Sequence, residues 1–72
     1  MITDATKITT LKCTPLNIQI SGEALVAGAR VTITMNIEPV NSVPLKNSET
    51  WAEQGQAALM KAVDHLNEAC KV

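Results

Sequence analysis

The segment from Thr50 to Cys70 constrains this chain more than any other, because its apolar residues fall on one side of a helix. Placed at about 100° per residue, Trp51, Ala52, Gly55, Ala58, Leu59, Ala62, Val63, Leu66, Ala69 and Cys70 share an arc of about 140°. Glu53, Gln54, Gln56, Lys61, Asp64, Asn67, Glu68 and Lys71 take the opposite side. A helix divided this way has to lie on something apolar, so the arc names a packing surface and no chemistry. Thr50 with Glu53 three residues on matches a capping box and sets the expected start, with Ser48 as a second cap candidate.

What the helix lies on is read from residues 8 to 38. Ile8 to Cys13 is rich in Thr, Ile and Leu, which suits a strand, and Thr14-Pro15 interrupts it. Leu16, Ile18 and Ile20 then alternate with Asn17, Gln19 and Ser21, a period of two that puts the even positions inward. Before the proline the apolar positions Leu11 and Cys13 are odd, so the inward parity flips. Pro15 therefore either separates two strands or marks a bulge in one edge strand. Ser21-Gly22-Glu23 is a turn candidate, since glycine tolerates positive φ. Val31, Ile33, Met35 and Ile37 alternate with Arg30, Thr32, Thr34, Asn36 and Glu38 in the clearest strand pattern, which Gly28 precedes as a possible bend and Pro39 ends. Residues 39 to 49 connect to the helix, and their apolar members Val40, Val43 and Leu45 are expected to lie over the sheet edge or the helix. Residues 1 to 6 are polar and expected to fray. The reading is an α+β fold: one small domain over 1–72, with an antiparallel sheet of two to three strands and one C-terminal amphipathic helix on one face.

At 72 residues such a domain is in the range where one core is marginally sufficient, since ordering costs about 1.5 kcal/mol per residue. Trp51 is the only aromatic residue, with no Phe or Tyr, so the core has to be built from small aliphatics that bury little area each. Oligomerisation is the usual remedy, and a homo-oligomer, most simply a dimer, is expected.

Six basic and seven acidic side chains give a net charge of −1, with the basic ones spread singly, so no polyanion is being sought. Met1-Ile2-Thr3-Asp4 lacks a basic region before an apolar run, and the longest apolar stretch is Ala24 to Ala29. Neither export nor membrane spanning is expected. A cytoplasmic location with Cys13 and Cys70 as free thiols follows.

The groups that do chemistry are sparse. His65 is the single histidine, and its neighbour Asp64 points about 100° away from it around the helix, so the two form no base and orienter pair. His65 is expected to sit half covered at the boundary of the arc. Cys70 lies on another face and no C-x-x-C spacing is present, so no metal site is expected. Gly22 and Gly28 stand six apart as in a phosphate loop, without the Lys-Ser/Thr and the helix that would complete one. No catalytic residue, cofactor or metal is therefore assigned.

Three residues remain as candidate partner contacts. Trp51 is either a core plug or an anchor for a partner, Met60 projects from the polar side of the helix, and Arg30 opens the clearest strand. Gly55, Ala58, Ala62 and Ala69 form a small-residue edge of the arc where a second copy would approach. The leading expectation is a non-enzymatic protein-interaction module, an inhibitor or adaptor of the viral or mobile-element kind, acting as a homo-oligomer. The alternative is a nucleic-acid-binding β-ribbon dimer that uses Arg30, Thr32, Thr34 and Asn36.

Overall fold

The computed structural model describes residues 6–70. Three antiparallel strands, β1 (Lys7–Thr14), β2 (Asn17–Val26) and β3 (Ala29–Ile37), form one open sheet in the order β1-β2-β3, and one helix, α1 (Ser48–Ala69), covers one face. The fold is α+β, as the alternation of periods implies. The expectation for residues 1 to 6 falls, apart from Thr6, outside the described range, and so does Lys71.

β2 is the central strand and carries most of the core. Its even positions Ile18, Ile20, Gly22, Ala24 and Val26 are buried, while its odd positions face the uncovered side. The cross-strand partners of those even positions in β3 are Ile37, Met35, Ile33, Val31 and Ala29, and the first four are half-buried against the same core. Ala52, Leu59 and Val63 complete the core from the helix. Leu59 is fully buried above Gly22, whose missing side chain makes room for it: a Cβ there would stand 2.9 Å from Leu59 Cδ2.

The two hairpin turns solve the same problem differently. Pro15 separates two strands, since Thr14 pairs with Asn17 across Pro15-Leu16. Proline fixes a negative φ, so this turn is not of the primed kind that suits hairpins. The Thr14 hydroxyl closes it by accepting from the Asn17 N–H at 3.0 Å and donating to the Asn17 carbonyl at 2.9 Å. The bulge lies earlier, between Ile8 and Thr10, and it restores Ile8, Leu11 and Cys13 to one face. Leu16 belongs to the turn and is exposed, contrary to the inward position expected of it.

The second turn is at Ala27-Gly28, between Val26 and its partner Ala29, with φ of 49° and 83°. Positive φ at both central residues is the type I′ arrangement of two-residue hairpins. The turn expected at Ser21-Gly22-Glu23 does not form. Those residues continue β2, because Gly22 serves there as the socket for Leu59.

Two further expectations give way at the start of the helix. Neither Thr50 nor Ser48 is the cap; Asn47 takes that position in left-handed conformation, with φ 57° and no side-chain cap bond. Its carbonyl instead accepts from the N–H groups of Thr50 and Trp51 at 2.9 and 3.2 Å. In the connection before it, only Leu45 packs on the core, held by its N–H to the Pro15 carbonyl at 2.8 Å. Val40 and Val43 point into solvent, because the chain there crosses the end of the sheet, beyond the reach of either layer.

Candidate protein-interaction surface

The helix buries a narrower line than its apolar arc. Ala52, Gly55, Leu59 and Val63 are buried and Leu66 is half-buried, whereas Trp51, Ala58, Ala62 and Ala69 are exposed. Gly55 shows which strand lies under the Trp51 edge. A Cβ on Gly55 would meet Ile20 Cδ1 at 2.6 Å, Met35 Sδ at 3.3 Å and Ile37 Cδ1 at 3.6 Å, so this side of the helix lies toward β3. Around the helix Gly55 falls between Leu59 and Trp51, which places the Trp51, Ala58, Ala62 and Ala69 edge above β3. That edge and the half-buried Val31, Ile33, Met35 and Ile37 together make an apolar strip along one margin of the molecule.

Trp51 is 47% exposed and is therefore not the core plug of one reading. It borders a shallow depression of about 290 Å³ with Lys46, Asn47, Thr50 and Gln54. Met60 is 43% exposed on the far side of the helix from Trp51. Arg30 stands at the hairpin end of β3, on the sheet face away from the helix, opposite Leu25. The three candidate contacts thus lie on three different surfaces and do not form one site. Leu25, 56% exposed beside Arg30, belongs with them. Its odd position in a strand with an inward even face was the signal for it, hidden by the turn expected at Gly22.

Apart from Leu25, the uncovered sheet face is polar. Lys7 stands opposite Glu23, Lys12 opposite Gln19, Ser21 opposite Thr34 and Glu23 opposite Thr32, and Asn17 Nδ2 donates to Asn36 Oδ1 at 2.9 Å. His65 is exposed rather than half covered, because its side of the helix lies outside the buried line. Cys13 and Cys70 are exposed free thiols; Cys13 Sγ lies 3.4 Å from the Ser48 carbonyl. Among the described residues no three His, Cys, Asp or Glu side chains gather, the buried side chains are all apolar, and no helix is long and apolar enough to cross a membrane. Comparison with protein-family models, with curated proteins and with solved structures finds no match.

Proposed function

We propose that this chain is a small non-enzymatic protein-interaction module, an inhibitor or adaptor that acts as a homo-oligomer by covering a surface of another protein. One observation carries the reading. Among the described residues, seven large apolar side chains are exposed, as many as the seven apolar residues that form the core. Scattered apolar exposure is ordinary, and six of the seven are scattered; Trp51, with the Ala58, Ala62 and Ala69 edge, instead adjoins the half-buried row of β3 and makes one contiguous apolar strip. An aromatic ring on the rim of such a strip is the residue type that anchors protein partners.

The reading includes a reducing, cytoplasmic setting with Cys13 and Cys70 as thiols. The nucleic-acid alternative draws on Arg30, Thr32, Thr34 and Asn36, which do share the uncovered face. Glu23 lies on that face too, and a net charge of −1 gives a polyanion little to hold. Chemical cross-linking in host cells followed by mass spectrometry tests the choice. The expected result is a specific protein adduct that depends on Trp51 and disappears in Trp51→Ala, with no band shift on DNA or RNA at physiological salt. A band shift without a protein adduct would select the alternative.

A further inference from the structure

The two edges of the sheet are built differently. β1 has a bulge between Ile8 and Thr10 and carries Lys7 and Lys12, devices that discourage a further strand from pairing. β3 is less protected: its register with β2 is unbroken from Ala29 to Ile37, it contains no proline, glycine or lysine, and its one charge is Arg30. In a two-residue hairpin the closing pair, here Val26 and Ala29, is hydrogen-bonded, and such pairs alternate along the ladder. The odd residues of β3 therefore bond to β2. Arg30, Thr32, Thr34 and Asn36 turn their N–H and C=O groups to the open edge, and Glu38 follows the last paired residue, Ile37. Pro39, which has no N–H, falls outside this row.

We propose that β3 pairs antiparallel with β3 of a second copy about a two-fold axis at Thr34, joining the two sheets into one of six strands. This rests on the homo-oligomer part of the proposed function and assigns its surface. The register follows from charge. Facing residues in such a pair share a face, so their numbers must sum to an even value. With Thr34 opposite itself, Thr32 faces Asn36, and Arg30 faces Glu38 of the other copy, once on each side of the axis. Within one chain these two charges stand eight residues apart, roughly 26 Å along the strand, and serve no purpose for each other. The four outward-facing strand residues then exchange backbone hydrogen bonds with the other copy, and the pair extends β3 by one residue to take in Glu38. On the other face Ile33 meets Met35 and Val31 meets Ile37, which extends the apolar row across the axis. Each helix rides over its own β2, so the two stand three strand spacings or about 14 Å apart. Their Trp51 edges face each other across that gap, which an indole ring reaches into and an alanine does not.

Sedimentation equilibrium of the full chain at low ionic strength, from sub-micromolar to tens of micromolar, tests the pairing. The wild type is expected to give twice the 7.7 kDa monomer mass, with Trp51 emission moving to shorter wavelength as the dimer forms. Thr34→Pro removes an N–H that points away from β2, a change an edge strand tolerates, and it should give a folded monomer. Arg30→Glu and Glu38→Arg each place like charges opposite one another at both ends of the ladder, and each should dissociate about tenfold more readily. Mixed together, these two variants should pair with each other as tightly as the wild type does with itself. That cross-pairing supports the register even if Thr34→Pro fails to fold. A wild-type dimer whose two charge variants show no preference for each other overturns the β3 register and leaves homo-oligomerisation standing. A wild-type monomer over the whole range overturns both.

Discussion

Two sides of the helical arc are both apolar and meet different fates. The line through Ala52, Gly55, Leu59 and Val63 is buried on β2, while the edge through Trp51, Ala58, Ala62 and Ala69 is left in solvent. The cause is the width of the sheet. Three strands span about 10 Å between the outer two, which is the diameter of one helix, so a helix seated on the central strand meets support over a narrow contact only. Periodicity reports which residues avoid the polar side; it does not report how much apolar surface exists to receive them. The excess arc is therefore a measure of surface that the fold leaves for a second layer, a second copy or another protein.

The comparison is sharpest at Leu59. Its side chain is fully buried on the Gly22 socket, so Leu59→Ala should lower stability by about 2 to 5 kcal/mol, as leucine truncations in cores do. Urea denaturation followed by circular dichroism gives the number, and Ala62→Ser on the open edge should stay within about 0.5 kcal/mol. Equal losses at the two positions would mean that the helix is rotated from the placement described. Gly55 comes next. Replacing a helical glycine by alanine ordinarily gains about 1 kcal/mol, yet the new Cβ of Gly55→Ala would stand 2.6 Å from Ile20 Cδ1. Ile20 is fully buried and has little room to give. Overpacking of this kind costs about 1 to 3 kcal/mol, so a net loss of about 1 kcal/mol is expected in the same denaturation experiment. A gain would show that the helix can lift off β2, and that the buried line is looser than its contacts imply.

Much of this contrast was legible in the sequence, and each part that was not has its own physical reason. The inward sets Ile18 and Ile20 in β2 and Val31, Ile33, Met35 and Ile37 in β3 follow from a period of two, and the helix from its arc, because burial on one face is written into residue order. Gly22 misled because its role is tertiary: it looks like a turn residue and acts as a socket for a leucine 37 positions later. The true turn, Ala27-Gly28, carries only half of its own signal, since alanine is unusual at positive φ. The cap at Asn47 was missed because its backbone, not its side chain, closes the first turn. Of the candidate contacts, the exposure of Met60 and Arg30 was readable from helical and strand parity. The contrast between the two sheet edges needed the register, which no local pattern states.

The alanine at Ala27 offers a way to make the comparison measurable in so small a fold. Left-handed backbone costs a non-glycine residue roughly 1 kcal/mol, and asparagine tolerates it better. Ala27→Asn creates the Asn-Gly pair favoured in type I′ turns and should raise stability by about 0.5 to 1 kcal/mol, seen as a higher denaturation midpoint with an unchanged slope. Lower stability would mean that the turn is not type I′. In that stabilised background the smallest effect becomes resolvable.

Met60→Ala removes a long side chain that is 43% exposed on the side of the helix away from Trp51, and alanine is at least as good a helix former. The change should leave stability within about 0.5 kcal/mol of its parent. Met60 also lies away from the β3 edge, so the sedimentation profile should not change. The two readouts separate the possibilities. A loss of stability with unchanged association would place Met60 over β1 as part of the core, widening the buried line in the direction opposite to Trp51. A loss of association with unchanged stability would move the second copy from the β3 edge to the outer face of the helix. If neither quantity moves, Met60 lies outside both the buried line and the proposed β3 pairing.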